Sequence, residues 1–321
     1  MHKILITGAS GFIGTNMVDY YVSKGVDICN IDIVPPLDDT QRRYWVECDI
    51  NQEPALKRAF KNFNPSHVVH LAAGTGMNVS DISHFKTNFD GVKTLIKACN
   101  SVNSLEKVIF TSSLLVCERT YVPENDEDFK PDSLYGESKV LSEKIVRESD
   151  LKANWSIVRP TAVWGPWFRS SYTTFFQLIK KGLYVNPGKK RLGKPAAYVG
   201  NTVYMMDKIL NSDNANGNVY YLADYPDYSI QEWASSIASY NDNSNPITLP
   251  KFLINVVAKI GDFLKFSHLN SDPPLTTFRL NNIISGVNYD LHKTSSVVGT
   301  LPYDLDTGVG LTVDWMNNYP N

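Results

Sequence analysis

The first half of the chain alternates short, unbroken apolar runs with stretches whose apolar residues recur at helical spacing. The runs at 3–7 (KILIT), 26–32 (VDICNID), 44–48 (YWVEC), 67–72 (HVVHLA), 107–112 (KVIFTS) and 155–159 (WSIVR) predict strands. Val/Ile runs without polar alternation suit strands covered on both faces. Helical patterns over 12–24, 54–62, 85–103 and 133–149 fall between them. The repeated β-α-β order predicts an α/β fold, a Rossmann-type doubly wound parallel sheet with right-handed crossovers.

After Pro160 the rhythm breaks. Segment 161–200 is rich in Gly, Pro and aromatics and predicts mostly loop around one helix at 172–182. Residues 218–222 (NVYYL) predict one more strand, and helical patterns follow at 229–240 and 250–265. The implied division is a dinucleotide-binding Rossmann domain over 1–165, with 192–225 returning to it. A smaller, mainly helical substrate region then comprises 166–191 and 226–321. Trp164, Trp167, Phe168 and Tyr172 either border the substrate or pack that second region, packing being the favoured reading.

Composition narrows the function classes. A 321-residue chain with 43% hydrophobic and 20% charged residues has the make-up of a folded globular protein. Lys+Arg number 31 against 33 Asp+Glu, a net charge of −2, so no basic excess exists to grip nucleic acid. The four cysteines form no CxxC pair and fit reduced thiols in a cytoplasmic protein. Met1-His2-Lys3 runs straight into an apolar strand, without the h-region of a signal peptide. The stretch from Phe252 to Phe266, interrupted by Lys259 and Asp262, is too short for a membrane span. The histidines lack metal-site spacing, so no metal is expected, and His70 reads as structural.

The chemistry begins at residues 7–14, Thr-Gly-Ala-Ser-Gly-Phe-Ile-Gly, placed directly between a strand and a helix. Gly8 permits a tight turn, Gly11 lets a pyrophosphate approach the backbone amides, and Gly14 permits close helix packing. The second strand ends at Asp32, whose carboxylate can accept both hydroxyls of an adenosine ribose. It would repel a 2′-phosphate, and no arginine follows within eight residues, which favours NAD over NADP. Asp49 and Ile50 follow the third strand and are candidates to meet the adenine. Further on, Tyr135 and Lys139 stand at i,i+4 on one helical face, with Asp132 or Ser133 available as a cap. An ammonium near a phenol favours the phenolate and suits Tyr135 to acid/base work at neutral pH. The hydroxyl-rich strand end at 109–113 (IFTSS) can hold a substrate oxygen beside that phenol.

Gly8/Gly11/Gly14, Asp32, His70-Leu71-Ala72-Ala73, Asn88 with Gly91, Ser112-Ser113, Tyr135/Lys139 and Arg159-Pro160 occur in order over about half the chain. Together they resemble the extended short-chain dehydrogenase/reductase family, in particular its NAD-dependent nucleotide-sugar epimerases and dehydratases. The second half resembles that family only through Trp164-Gly165-Pro166 and Tyr198-Val199-Gly200-Asn201. The resemblance implies a catalytic set of Ser113, Tyr135 and Lys139. It implies cofactor contacts from Gly8, Gly11, Phe12, Ile13, Gly14, Asp32, Asp49, Ile50, Leu71, Ala72, Ala73, Asn88, Tyr135 and Lys139. It also implies a homodimer formed through the helices at 85–103 and 133–149. The implied reaction is epimerisation through a transient keto sugar, with hydride passing to NAD and back.

Departures from the family pattern refine this. Where 4,6-dehydratases carry an Asp-Glu pair after the catalytic serine, this chain has Leu114 and Leu115, which cannot move a proton. Cys117-Glu118 replaces the usual Tyr-Gly. Ala162 replaces an asparagine that helps hold the nucleotide sugar in many members. Lys194 or Arg191, and Arg279, are candidates for a substrate phosphate. The Arg159-Pro160-Thr161 and Tyr198–Asn201 strings also resemble hydroxysteroid dehydrogenases. A net reductase or dehydrogenase of a keto-sugar nucleotide or hydroxysteroid-like alcohol is therefore the alternative. A catalytically silent NAD-binding sensor is disfavoured, because a pure binder needs no proton donor.

Overall fold

The computed structural model describes residues 2–76, 79–168, 171–188, 191, 193, 195–267, 273, 276, 277, 280 and 289–319. The strands β1 (Lys3–Thr7), β2 (Asp27–Asp32), β3 (Trp45–Glu47), β4 (His67–His70), β5 (Lys107–Thr111) and β6 (Asn154–Pro160) match the runs read from the sequence to within a residue or two. They form one parallel sheet in the order β3-β2-β1-β4-β5-β6, and the strand at Asn218–Leu222 continues it beyond β6. The order reverses between β1 and β4, so their carboxyl ends flank a crevice of the kind that receives a dinucleotide.

Alternating side chains of each strand feed two cores. Ile4, Ile6, Val69, Ile109 and Val158 pack on one face with Met17, Val18 and Tyr21 of α1 (Phe12–Ser23). Leu5, Val68, Val108, Phe110 and Ile157 pack on the other. There they meet Leu56 and Phe60 of α2 (Glu53–Phe63), Val92 and Leu95 of α3 (Lys86–Cys99), and Val146 of α4 (Leu134–Arg147). Both faces are therefore covered, and the fold is the expected doubly wound α/β type. All four cysteines are free and buried.

Segment 161–200 holds the expected helix, α5 (Ser171–Lys180), but departs from the expected loop around it. It also contains β7 (Ala162–Trp164), β8 (Asn186–Pro187) and β9 (Ala196–Tyr198), with β7 paired to β9. A further helix, α6 (Val199–Leu210), begins at once and lies against α1 in the first core. Strands of two or three residues are too short to show a period. In α6, Asn201, Thr202 and Asp207 are buried beside Val203, Met206 and Ile209, so no clean apolar stripe marks the helix. The last sheet strand is β10 (Asn218–Leu222), followed by α7 (Ile230–Tyr240), β11 (Thr248–Leu249) and α8 (Lys251–Phe266). The described chain ends with α9 (His292–Val298) and α10 (Leu305–Asn318).

A third core gathers Trp164, Phe168, Phe176, Trp233, Val309 and Val313 from β7, α5, α7, α10 and the connecting loop. Trp164 is fully buried, donates its indole N–H to the Tyr228 hydroxyl at 2.6 Å and meets Trp233 in a tilted ring contact at 4.9 Å. Trp164 and Phe168 thus serve as packing within this third core.

Candidate active site

The turn after β1 is shaped by its neighbour across the crevice. Gly8 has φ +73°, and a Cβ there would sit 2.5 Å from the Ala72 nitrogen, just beyond β4. A side chain at residue 8 would push the two strand ends apart. A Cβ on Gly14 would lie 2.4 Å from Ala9 Cα, so Gly14 lets α1 close on the loop itself. At Gly11 the nearest atom to such a Cβ is the Gly8 carbonyl at 3.2 Å, so the loop's outer side is open. Gly11 caps α1 without a side-chain hydrogen bond, and no acidic residue occupies the first turn. That leaves a helix N-terminus suited to an anion.

Asp32 closes the loop from the side. Its carboxylate accepts the Ser10 amide at 3.0 Å and the Val34 amide at 3.2 Å, and burial raises its pKa against those two bonds. Asp49 accepts both the backbone and side-chain N–H of Asn51. Ile50 packs in the second core against Gly91, where a Cβ would come within 2.7 Å of its terminal methyl. Phe12 faces Phe168, and Ile13 joins the apolar contacts of α1.

A chain of hydrogen bonds runs from this loop to the tyrosine. Thr7 Oγ1 lies 2.7 Å from His70 Nδ1 and accepts the Ala72 amide. Asn88, buried on α3, accepts the Gly74 amide at 2.7 Å and donates to the Gly74 carbonyl and to Ser138 Oγ. Ser138 donates in turn to the Tyr135 carbonyl. Asn88 thereby pins the loop after β4, which carries Leu71, Ala72 and Ala73, to the helix bearing the tyrosine.

Ser133 caps α4 by accepting the Gly136 amide at 3.2 Å. Ser113 accepts the Leu115 amide at the start of a 3-10 turn over Leu114–Val116. Gly136 sits against that turn, and a Cβ there would lie 2.2 Å from the Leu115 carbonyl oxygen. The glycine lets the Tyr135 turn rest on the Ser113 turn, and the Ser113 hydroxyl opposes the rise in the phenol's pKa. Lys139 is buried, donates to the Thr111 carbonyl at 2.9 Å, and stands 5.9 Å from the Tyr135 ring centroid.

The electrostatics correct one expectation. Burial pushes Tyr135 up to about 12, above its ordinary 10.0. Burial pulls Lys139 down to about 8, partly opposed by the Glu143 carboxylate. The lysine does not acidify the phenol here, because both groups are desolvated and each is shifted toward its neutral form. Glu143 also holds Arg159 in a buried two-pronged pair at 2.9 and 2.7 Å. Arg159 donates further to the Tyr221 hydroxyl and the Asp126 carbonyl.

The arrangement accommodates a dinucleotide. An uncapped helix start faces the open side of Gly11, a carboxylate stands at the second strand's end, and Thr111 Oγ1 and Ser112 Oγ are buried without a hydrogen-bond partner. Residues 4–227 match the NAD dependent epimerase/dehydratase family. The chain belongs to that family. It is accordingly an enzyme whose cofactor is NAD, with an extended short-chain dehydrogenase/reductase architecture.

Relatives of this epimerase/dehydratase chain span its length. It is 27% identical over 324 residues to N-acetyl-α-D-glucosaminyl-diphospho-ditrans,octacis-undecaprenol 4-epimerase of Escherichia coli O157:H7, covering 98% of this chain and 95% of that one. It is 25% identical over 346 residues to the decarboxylating sterol-4-α-carboxylate 3-dehydrogenase of Schizosaccharomyces pombe, covering 99% and 98%. In structure it is similar to the UDP-glucose 4-epimerase of Thermotoga maritima crystallised with UDP-glucose. The TM-score is 0.73 with 19% identity, over 98% of this chain and 99% of that one.

The phosphate candidates fare differently. Arg191 is exposed and already paired with Asp227 at 2.9 Å and Glu232 at 3.4 Å. Lys194 and Arg279 lie outside the described residues. Among the described residues no cluster of His, Cys, Asp or Glu suits a metal ion. The sequence reading did not single out Gly136, Ser138 or Glu143. A glycine beside Tyr135 in a helix's first turn, where it costs about 1 kcal/mol, is the signal that marks Gly136. The i,i+4 spacing of Lys139 and Glu143 marks the second. Ser138 carries no comparable sign.

Proposed function

We propose that the enzyme is a 4-epimerase of a sugar carried on a diphosphate, with a nucleotide sugar as its substrate. One observation carries this reading: a Ser113–Tyr135–Lys139 cluster beside the glycine loop, followed by leucines where elimination chemistry would need carboxyl groups. The full-length likeness to a 4-epimerase of a diphosphate-linked sugar supports it. Bound NAD would supply a hydride acceptor able to return the hydride, and a positive ring charge in its oxidised form. Gly8, Gly11, Gly14 and the start of α1 would hold its pyrophosphate, with Asp32 on the adenosine ribose. Phe12, Ile13, Asp49, Ile50, Leu71, Ala72 and Ala73 would line it.

Tyr135 removes the proton of a sugar hydroxyl and gives it back after the keto sugar has turned. With its pKa near 12, the phenol is the resting proton donor, and it serves as a base only when positive charge is brought close. Ser113 orients the reacting oxygen, and Lys139, anchored on Thr111, fixes the geometry. Asn88 acts as a positioning residue through Gly74 and Ser138. Leu114 and Leu115 provide no acid or base for loss of water. Cytoplasmic work as a homodimer through α3 and α4, and the division into a Rossmann domain and a substrate region, belong to the same reading.

A second reading is a net 3-dehydrogenase of a sterol-like alcohol. The full-length likeness to a sterol dehydrogenase and Ala162 at the head of β7 favour it. Absorbance at 340 nm separates the two. The epimerase converts UDP-, GDP-, CDP- or dTDP-sugars to their epimers with no steady change in added NAD. Stoichiometric formation of NADH with product would replace epimerisation by net oxidation.

A further inference from the structure

The helix α8 presents an inverted surface. Its inner side is narrow: Ile254 and Ala258 are buried against Leu280, Val185 and Leu249. Its outer side is apolar. Phe252, Val256, Ile260 and Phe263 follow one another at intervals of four, four and three and are all exposed, Phe252 at 66% and Phe263 at 62%. Val257 and Phe266 widen the band, the latter 84% exposed. Of the 17 exposed large apolar residues among those described, seven stand on this one helix, so the exposure is concentrated and not scattered.

The dimensions and charge of the band identify its partner. With about 100° per residue, the exposed apolar positions sweep about half the circumference, from Phe266 to Val257. A second helix would need only a narrow seam. A continuous apolar medium wets the whole arc. The helix also carries Lys251, Lys259 and Lys265 against the single Asp262, a charge of +2 on a chain whose net charge is −2. Asp262 is turned to the Thr277 amide. Lys259, exposed between Phe252 and Phe266 on the helix surface, would meet its own copy across a two-fold contact, whereas an anionic lipid surface attracts it. Sixteen residues make a rod about 24 Å long, shorter than a bilayer core, and no described helix is long and apolar enough to cross a membrane.

We propose that α8 lies in the interface of an anionic membrane, its apolar band among the acyl chains and the exposed Lys259 at the headgroups. The surface stands on the helix and not on the reaction assigned above. If that reaction uses a diphosphate-linked sugar, this docking would give the enzyme access to one whose carrier is a lipid.

Flotation of the full chain with vesicles tests this, without substrate and with NAD present. Vesicles of phosphatidylcholine containing about one-third phosphatidylglycerol should bind it, and phosphatidylcholine alone should bind it several-fold less. Phe252→Ser with Phe263→Ser should lower binding at least about tenfold, and Lys259→Glu several-fold. NAD-induced thermal stabilisation should persist in both variants, which separates lost docking from lost folding. Wild-type protein that ignores the anionic vesicles overturns the proposal. So does a concentration-dependent dimer that the two serines dissolve while vesicle binding is absent, since that makes a second copy the occupant. Failure of every sugar to react leaves the vesicle result readable, so the two readings fall separately.

Discussion

Tyr135 faces opposing demands. It must be desolvated to meet a sugar carbon, yet desolvation holds it protonated, and the nearby ammonium is itself held toward neutrality. Tyr135→Phe keeps the ring's edge contact with Phe85 and deletes the proton. Turnover should fall about 10²–10⁴-fold, while thermal stabilisation by NAD persists; an active Phe variant would remove the tyrosine from the mechanism. Lys139 allows a sharper test. Its folded pKa is about 8 against an ordinary 10.5, so the unfolded chain binds the extra proton between those values and the folded protein gains stability as pH rises through that window. Lys139→Met removes this cost of burying charge. The variant's stability relative to wild type in denaturant titrations should be highest near pH 7 and shrink toward pH 10.5. A difference that stays flat with pH would mean the lysine is solvated. The identities of Tyr135, Lys139 and the glycines were legible because each chemistry needs one residue type at one spacing. The direction of the pKa shifts was not, because it depends on burial, which spacing does not reveal.

Elements were legible in proportion to the regularity of their surroundings. Six of the seven sheet strands are covered on both faces and read as apolar runs, β3 being a short exposed edge, and α2 and α4 each present one apolar side. The strands β7, β8, β9 and β11 and the helices α6, α9 and α10 went unread: the strands are too short to show a period, and in α6 polar groups such as Asn201 are buried with partners supplied from far along the chain. Even the join between elements is specified by single residues. The start of α4 can rest on the turn after Ser113 only because residue 136 lacks a Cβ. Gly136→Ala brings a methyl to 2.2 Å from a backbone oxygen, and neither side can yield without moving the Tyr135 turn or the Ser113 turn. Stability should fall by about 1–3 kcal/mol. Activity should drop about tenfold or more at saturating substrate, because the hydroxyls lose their alignment. Retention of full kcat with only a lower Tm would show that the alignment is set elsewhere.

On the scale of the whole molecule, the sheet's buried ionisable groups set a stability optimum. His67 and His70 are the first and last residues of β4, and burial lowers them to about 4 and about 3 from 6.5. Their folded pKa values lie below the unfolded ones, so the stability they confer is present above pH 6.5 and is lost as pH falls below it. By pH 5 the loss is at most about 2 kcal/mol for each ring. On the alkaline side, Cys29, Cys48, Cys99 and Cys117 are all raised from 9.0 by burial, Cys29 to about 12. Their contribution is complete below the unfolded thiol pKa and disappears as pH climbs past it, because only the unfolded chain then ionises. Four thiols act against the opposite trend of the single Lys139 in that range. Unfolding free energy measured by urea titration should therefore peak between about pH 7 and 8.5 and decline on both flanks. His70→Gln should flatten the acid flank specifically, since it removes one titrating ring and leaves the four thiols untouched. An acid flank equally steep in that variant would assign the loss to carboxylates and not to the sheet's imidazoles.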